Sequence, residues 1–465
     1  MTKTEHLMTK TGQLMLEFSS SAPTLEELRR DQEIFNYNTM KWGAYQTPRS
    51  LLLALIGELG ELATDISLND SSNLLDDCRN NEKEILAELA DVFCYLICLA
   101  HECQIDVANL VQNRNTMPCF SFTGSSWKEI QATAFLQVSD GKGMAEDFLK
   151  LCFSVSAAMD IFQWTPINKN LTNLSLDKQQ QVDKIIKSMF CHVVFLASKY
   201  GYDLPRLLQE KNNKTKSKYS DSIGMLSKDN IITQRYNHLP SFHGSPESYD
   251  SNEFYHLDKP VKCLQTPVQK LLCDLVTSIG YICEAFQWDT DGEAVALSEA
   301  KHAHLAHQLC IIVNTIQTIA QVHKVSLSLA YQRKMQMNRS KYPLSVCNGS
   351  FTKYNDNSDT SHNAHEAASN SNSYNKQISV IHEAVSVMAT FVKERNWLQY
   401  HINPRNLSLA LFGEIGEVIE LFISERNEDF VTRLGEELSD CIAYSVRLAS
   451  CCNIQLTSAL LHHFP

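Results

Sequence analysis

The stretch that decides the fold is Gly57-Glu58-Leu59-Gly60-Glu61, which interrupts an apolar run and is followed by Glu88-Leu89-Ala90-Asp91. Residues three apart lie on one face of a helix, so Glu58 and Glu61 project together, as do Glu88 and Asp91. Burying four carboxylates in one place is very costly unless a cation neutralises them. The pattern therefore predicts two packed helices that hold a metal ion between them.

The same pattern recurs near the C-terminus as Gly413-Glu414-Ile415-Gly416-Glu417 and Glu437-Leu438-Ser439-Asp440. A single Glu-x-x-Glu pair is more often a solvated helix face, but the recurrence of both pairs within apolar runs argues against that interpretation. Oxygen-only ligand sets select hard cations, here Mg²⁺ with Mn²⁺ as the alternative. The predicted metal ligands are Glu58, Glu61, Glu88, Asp91, Glu414, Glu417, Glu437 and Asp440.

With Pro23 to Arg30 and Pro48 to Leu55, these motifs resemble the all-α NTP pyrophosphatase (MazG-like) superfamily, above all its dCTP pyrophosphatase branch. The resemblance implies an all-α fold of helical repeats that form a four-helix-bundle pseudo-oligomer. It also implies Mg²⁺-dependent hydrolysis of a nucleoside triphosphate, by which a dNTP becomes a dNMP and pyrophosphate. In that chemistry a carboxylate takes a proton from the attacking water. We assign this catalytic role to Glu58 and Glu414.

Four segments carry versions of the pattern, and we interpret them as tandem repeats. Repeats one and four, residues 24–118 and 377–465, keep all four acids. In repeat one, the apolar spacing predicts helices over 24–40, 49–68 and 80–103. Repeats two and three, residues 120–219 and 262–343, have lost the acids, which are replaced by Ser154, Ala157, Ile185, Ser188, Ser278, Tyr281, Gln308 and Ile311. The polar stretches 220–260 and 345–376 are predicted to be linkers, the second one disordered.

The repeats divide the family's other site residues between them. Repeats one and four keep an early Trp and a Tyr four residues after the last acid, whereas repeats two and three keep a later Trp and a Lys-bearing tail. The resembling proteins are oligomers whose sites take residues from neighbouring subunits. The resemblance therefore implies a covalent pseudo-tetramer whose sites are shared between repeats. A monomeric protein is compatible with this arrangement. The predicted substrate-binding residues are Trp42, Tyr95, Trp397, Tyr444, Trp164, Trp288, Lys211, Lys334, Asn338 and Tyr342.

The base preference of the predicted enzyme stays open. The family's dCTP-specific members have a His in the first helix, and Gln32 and Met388 stand at that position here. The expected substrate is dCTP or a modified dCTP. The alternatives are a dUTP-type pyrophosphatase and a non-catalytic nucleotide-binding scaffold with vestigial sites.

Composition argues against some classes of partner. The net charge of −12 argues against a nucleic-acid partner, and no apolar run is long enough to span a membrane. The fifteen cysteines form no Cys-x-x-Cys motif and fall mostly in apolar helical runs. They are interpreted as free buried thiols of a reducing compartment. The expected location is the cytoplasm, with the nucleus and the mitochondrion as open alternatives.

Overall fold

The computed structural model of the chain describes residues 25–40, 47–71, 78–105, 143–163, 174–218, 256–258, 266–289, 297–347, 349, 381–398 and 403–463. The regular elements within these ranges are helices, with no β-strand among them, in agreement with the predicted all-α class. The predicted linkers, 220–260 and 345–376, lie almost entirely outside the described residues. The chain divides into two compact units, one of Met1–Thr233 with Cys283–Trp288 and one of Gln234–Ile282 with Asp289–Pro465.

The helices of the first unit follow in chain order. They are α1 (Leu25–Glu33), α2 (Pro48–Ser71), α3 (Cys78–Glu102), α4 (Met144–Ser156), α5 (Met159–Phe162), α6 (Leu176–Tyr200) and α7 (Leu204–Lys218). The central helix is α3, which packs against α1, α2, α6 and α7. Because α3 carries Glu88 and Asp91, this packing surrounds one of the two predicted acid pairs with helices.

The second unit is built around an equivalent helix. Its elements are α9 (Glu299–Val322), α10 (Leu327–Lys341), α11 (Ile381–Glu394), α12 (Pro404–Ile423), α13 (Phe430–Cys451) and α14 (Leu456–His463). Helix α8 (Val268–Phe286) is divided, with residues up to Ile282 assigned to the second unit and those from Cys283 to the first. Helix α13, which carries Glu437 and Asp440, packs against α9, α10, α11 and α12. Each acid-bearing helix thus has a comparable set of neighbours within its own unit.

The Glu-x-x-Glu helices α2 and α12 start in the same way. Thr47 Oγ1 accepts a hydrogen bond from the backbone N–H of Ser50 at 3.2 Å, and Asn403 Oδ1 accepts one from the N–H of Arg405 at 2.9 Å. In both helices a proline follows the capping residue, where its missing N–H costs no intrahelical bond. Side chains 51–55 and 407–412 are then buried almost completely. The N-terminal cap of each helix thus sets the position of its acids within the apolar interior.

The first helix differs from the sequence prediction. A single helix was expected over 24–40, whereas α1 ends at Glu33 and a π-helix follows over Ile34–Thr39. Its geometry is seen in the hydrogen bond from the N–H of Met40 to the carbonyl of Phe35 at 2.9 Å. Trp42 stands ten positions after Gln32, whereas Trp397 stands nine after Met388. A π-turn accommodates one extra residue without breaking the helix, which explains the difference.

Candidate functional site

The first group of acids converges between α2 and α3. One carboxylate oxygen from each of Glu58, Glu88 and Asp91 lies within 4.8 Å of the others. Glu61 lies one turn after Glu58 on α2, close enough for its charge to act on the Glu58 carboxyl. Asp91 is only 5% exposed. The structure therefore brings Glu58, Glu88 and Asp91 together, with Glu61 one turn away on α2, and we call these four acids the first carboxylate site.

The buried carboxylates of the first carboxylate site favour either protonation or the binding of a cation, because each reduces their mutual repulsion. Burial is the largest cause that raises the pKa of Glu58, and the charges of Asp91 and Glu61 raise it further. Burial and the charge of Glu61 raise the pKa of Glu88 from its ordinary value to about 7. A divalent cation would replace those protons and supply the missing positive charge. The oxygen-only donor set fits Mg²⁺ or Mn²⁺.

A second carboxylate site lies between α12 and α13. Carboxylate oxygens of Glu414, Glu417 and Glu437 lie within 4.8 Å of one another, and Asp440 follows one turn later on α13. Burial raises the pKa of Glu437 to about 7. Burial also raises the pKa of Asp440, although the Lys334 ammonium opposes the shift. The two sites thus share the same ligand types, and burial raises the pKa of Glu58 and Glu88 at the first site and of Glu414 and Glu437 at the second.

A lysine from a separate helix reaches each site. In the first unit, Lys211 of α7 donates to the Asp91 carboxylate. In the second unit, Lys334 Nζ of α10 lies 2.7 Å from Asp440 Oδ2 and 3.7 Å from Glu437 Oε2. Burial alone would lower the pKa of Lys334, but these two carboxylates outweigh it and raise the pKa above its ordinary value. Both lysines therefore remain charged beside the acids.

An aromatic pair lies beside the first carboxylate site. Tyr95 stands one turn after Asp91 on α3, and the charge of Glu58 is among the causes that raise the pKa of its hydroxyl, after burial. The Trp288 ring, in the 283–288 segment of the same unit, lies 6.5 Å from the Tyr95 ring, tilted by 44°. Both side chains are half-buried. Tyr95 thus lies one helical turn from the acids, and the Trp288 ring lies next to Tyr95.

The remaining predicted binding residues are placed differently. Trp397 is 4% exposed, and its ring packs edge-on against Tyr342 at 5.1 Å and Phe391 at 5.7 Å. Trp397 therefore offers a nucleotide almost no surface in this structure. Asn338 lies one turn after Lys334 on α10, and Tyr444 one turn after Asp440 on α13, both half-buried. Trp42 and Trp164 lie outside the described residues.

Sequence reasoning singled out Gln32 but missed the amide side chains that it contacts. Asn212 Nδ2 donates to Gln32 Oε1 at 2.9 Å, Gln32 Nε2 donates to Asn36 Oδ1 at 3.2 Å, and Asn36 Nδ2 donates to Cys98 Sγ at 3.0 Å. Gln32 is 2% exposed and Asn36 is 5% exposed. The signal that was available is the position of Asn212, directly after Lys211. We call Gln32, Asn36 and Asn212 the amide cluster.

Two further expectations can be compared with the structure. Twelve of the cysteines within the described residues form no disulfide bond. Among those same residues, no helix combines the length and apolar character that crossing a membrane requires.

The raised carboxyl pKa values predict how pH and Mg²⁺ act on stability. Glu88 and Glu437, with a pKa of about 7 in the folded state and about 4.3 when unfolded, hold protons that the unfolded chain releases. Their protonation therefore stabilises the metal-free folded protein fully below pH of about 4. This stabilisation is lost as pH rises through about 7. Since Mg²⁺ competes with these protons, we expect its stabilising effect to grow from pH 5.5 to 7.5.

Melting temperatures measured with EDTA and with 10 mM Mg²⁺ across this pH range check the prediction. The shift caused by Mg²⁺ should be small at pH 5.5 and largest at pH 7.5, by mass action. A shift that is equal at both ends of the range would contradict proton–metal competition at these acids.

One part of the chain is similar to known proteins. The family model of the MazG nucleotide pyrophosphohydrolase domain matches residues 46–114. Human dCTP pyrophosphatase 1 is 44% identical over 82 residues, which cover 16% of this chain and 48% of the relative, and the mouse protein is 42% identical over the same extent. The chain therefore spans about half the length of these two relatives. No solved structure matches the chain.

The bovine relative is matched over a longer segment. Bos taurus dCTP pyrophosphatase 1 is 36% identical over 116 residues, which cover 23% of this chain and 68% of the relative. The matched MazG segment contains α2 and α3, the helices that carry the first carboxylate site. The chain therefore belongs to the MazG nucleotide pyrophosphohydrolase family, together with the dCTP pyrophosphatase 1 proteins.

Proposed function

We propose that the chain is a divalent-cation-dependent nucleoside triphosphate pyrophosphohydrolase that converts a dNTP into a dNMP and pyrophosphate. The observation that carries this proposal is the pairing of a buried carboxylate site with a lysine from another helix, found once in each unit. Carboxylates alone would suit a structural cation. A buried lysine beside them adds a positive group that can meet a phosphate when the cation occupies the acids.

We further propose that the chain consists of four MazG-like repeats, with the boundaries given above, and that the repeats combine in pairs within each unit. In this arrangement Lys211 of repeat two serves the acids of repeat one, and Lys334 of repeat three serves those of repeat four. The similar neighbours of α3 and α13 support it. The Trp288 ring of repeat three, which lies beside Tyr95 of repeat one, falls outside this pairing and supports only the sharing of site residues between repeats.

The residues suggest a division of chemical roles at each site. Bound Mg²⁺ would offset the negative charge of the triphosphate oxygens at the α-phosphorus. Water attacks the α-phosphorus, the bond from that phosphorus to the bridging oxygen breaks, and pyrophosphate leaves. Glu58 or Glu414 accepts the proton of the water, a role that suits a carboxyl of raised pKa. Lys211 or Lys334 neutralises the charge that develops on the leaving pyrophosphate.

The proposed substrate is dCTP or a modified dCTP, because the named relatives are dCTP pyrophosphatases. A dUTP-type activity is the alternative within the same chemistry. A non-catalytic scaffold is disfavoured, because both carboxylate sites keep all four acids and a charged lysine.

A pyrophosphate-release assay tests the proposed function. Purified protein would be incubated with each canonical dNTP and with 5-methyl-dCTP, in Mg²⁺, Mn²⁺ or EDTA, and the products separated by anion exchange. We expect one equivalent each of monophosphate and pyrophosphate, and none in EDTA. Release of single phosphates to give a diphosphate, or turnover that persists in EDTA, would refute the assignment.

Replacing Trp288 by Ala is expected to raise KM at the first site while kcat changes little. The Trp288 ring beside Tyr95 would stack on the base equally in the ground state and in the transition state. The loss should correspond to about 1–3 kcal/mol, the range seen for stacked bases.

Kinetics in a Glu414→Gln background, which silences the second site, check the Trp288 prediction. Trp288→Phe keeps an aromatic face and should retain most of the affinity. An unchanged KM in Trp288→Ala would show that the ring does not contact the nucleotide.

A further inference from the structure

A glycine lies where α10 packs against α13 in the second unit. Gly435 is buried on α13, one turn before Ser439, whose hydroxyl donates to the Gly435 carbonyl at 2.6 Å. A β-carbon placed on Gly435 would lie 3.1 Å from Ala330 Cβ and 3.3 Å from Val325 Cγ1. Carbon atoms pack best at a separation of about 3.5–4.0 Å. A side chain at this position would therefore push against α10 and the residue that precedes it.

The neighbour nearest to Gly435 cannot turn aside. Val325 can rotate about its own side-chain bond, but Ala330 Cβ is bonded directly to the backbone and moves only with α10. On its other side, α10 is tied to α11, because the Tyr331 hydroxyl donates to the Ala384 carbonyl at 3.3 Å. A β-carbon on residue 435 would therefore shift or tilt the helix itself.

Lys334 lies one turn after Ala330 on the same helix. Its ammonium lies 2.7 Å from Asp440 Oδ2 and 3.7 Å from Glu437 Oε2, two acids that follow Gly435 on α13. The glycine contact and the lysine contact are thus successive levels of one interface, about 5.4 Å apart along the helix axis. A change in the separation of the helices at the first level is transmitted to the second.

The first carboxylate site is built differently at this position. Leu86 stands two residues before Glu88, as Gly435 stands two residues before Glu437. Leu86 is half-buried, and it has a full side chain where the second site has none. The glycine is therefore a feature of the second site, and the first site of the same chain provides an internal control.

We propose that Gly435 is a positioning residue of the second site, where it lets α10 approach α13 closely enough for Lys334 to reach Glu437 and Asp440. This inference rests on the proposed function, because it concerns the placement of a group that acts on the leaving pyrophosphate. Gly435 itself contacts no substrate in this role. A misplacement of about 1 Å, even one caused far from the reacting atoms, can cost about 100-fold in rate.

Gly435→Ala in a Glu58→Gln background, which silences the first site, measures the effect on the second site alone. The added β-carbon requires a shift of a few tenths of an ångström, so we expect kcat to fall by about 3- to 10-fold while KM changes less. Thr432→Ala, an exposed change on α13 that also favours the helix, should leave kcat unchanged.

The first site shows whether the substitution acts locally. In a Glu414→Gln background, which silences the second site, Gly435→Ala should leave kcat unchanged. An equal fall at both sites would indicate general damage to the fold and would overturn the inference.

Two combined variants, both in the Glu58→Gln background, separate positioning from packing. Gly435→Ala with Ala330→Gly moves the β-carbon from one helix to the other and should restore most of kcat. Gly435→Ala added to Lys334→Ala should cause no further loss, because the glycine acts through the lysine. Ala330→Ser, which enlarges the opposite side of the contact, should lower kcat as Gly435→Ala does. Failure of the exchange to restore kcat, or independent losses in the pair with Lys334→Ala, would overturn the inference.

Mg²⁺ binding measured by calorimetry, again in the Glu58→Gln background, gives a readout that does not require turnover. Lys334 competes with the cation for its two carboxylates, so Gly435→Ala should tighten Mg²⁺ binding and the exchange with Ala330→Gly should reverse the gain. If Mg²⁺ binding responds in this way but no pyrophosphate is released, the proposed function fails and the placement of Lys334 by Gly435 stands. Pyrophosphate release with kcat and Mg²⁺ affinity both unchanged in Gly435→Ala would overturn the inference alone.

Discussion

Replacing Glu58 and Glu414 together by Gln is expected to abolish pyrophosphate release. Each substitution keeps the shape of the side chain and removes one charged ligand from a carboxylate site. Loss of an outer-shell partner of a metal site commonly costs about 10- to 100-fold, so loss of a ligand at both sites should cost more than that. Each single variant should retain the activity of the other site. Steady-state assays and Mg²⁺ titration by calorimetry measure the two effects.

The metal-free double variant should also be more stable than the unchanged protein. The pKa values of Glu58 and Glu414 are raised by burial and by neighbouring acids, so a neutral amide relieves repulsion at neutral pH. Glu82→Gln with Glu428→Gln, two exposed positions in the same two units, is the matched control. Wild-type turnover in the Glu58 and Glu414 double variant would refute the assignment of the carboxylate sites.

Replacing Lys211 and Lys334 together by Ala should lower kcat by about 10²- to 10³-fold, the range observed when one charge-stabilising donor is removed from an active site. Both ammonium groups lie beside acids of the carboxylate sites. When a cation takes over those acids, each lysine can turn to the pyrophosphate, whose charge develops in the transition state. KM should change less than kcat, because the interaction strengthens as the bond breaks.

The exposed cations Lys214 on α7 and Arg333 on α10 provide the control, since their replacement by Ala removes equal charge away from the acids. Mg²⁺ affinity should be retained or increase in the Lys211 and Lys334 variant, because each lysine competes with the cation for the carboxylates. A loss of kcat with weaker Mg²⁺ binding would instead indicate that the lysines only shape the carboxylate sites.

Helical periodicity was sufficient to predict that the acids converge. The three-residue spacing of Glu58 and Glu61, inside an apolar run, specifies both the helix and the face on which the charges lie. The helix predicted over 49–68 is observed as α2 over Pro48–Ser71, because Thr47 caps it and Pro48 fits its first position. Local chemistry determines these features, so they can be read from a short window.

Features that depend on distant pairing were harder to predict. The π-helix over Ile34–Thr39 follows from one inserted residue, visible only when two segments are compared. The amide cluster joins Gln32 to Asn212, which are far apart in sequence, and neither residue forms a motif alone. The burial of Trp397 against Tyr342 likewise depends on how α10 meets α11. Such contacts are set by tertiary packing, which a single sequence does not display.

Each lysine is linked to its acids through a single polypeptide, and this determines how the sites respond to dilution. Lys211 and Asp91 belong to one polypeptide, as do Lys334 and Asp440. The lysine is therefore supplied at an effective concentration set by the tether and not by the amount of protein present. A site completed by a separate subunit would lose its lysine as that subunit dissociates. Here the ammonium and the carboxylates stay together at any concentration at which the chain remains folded.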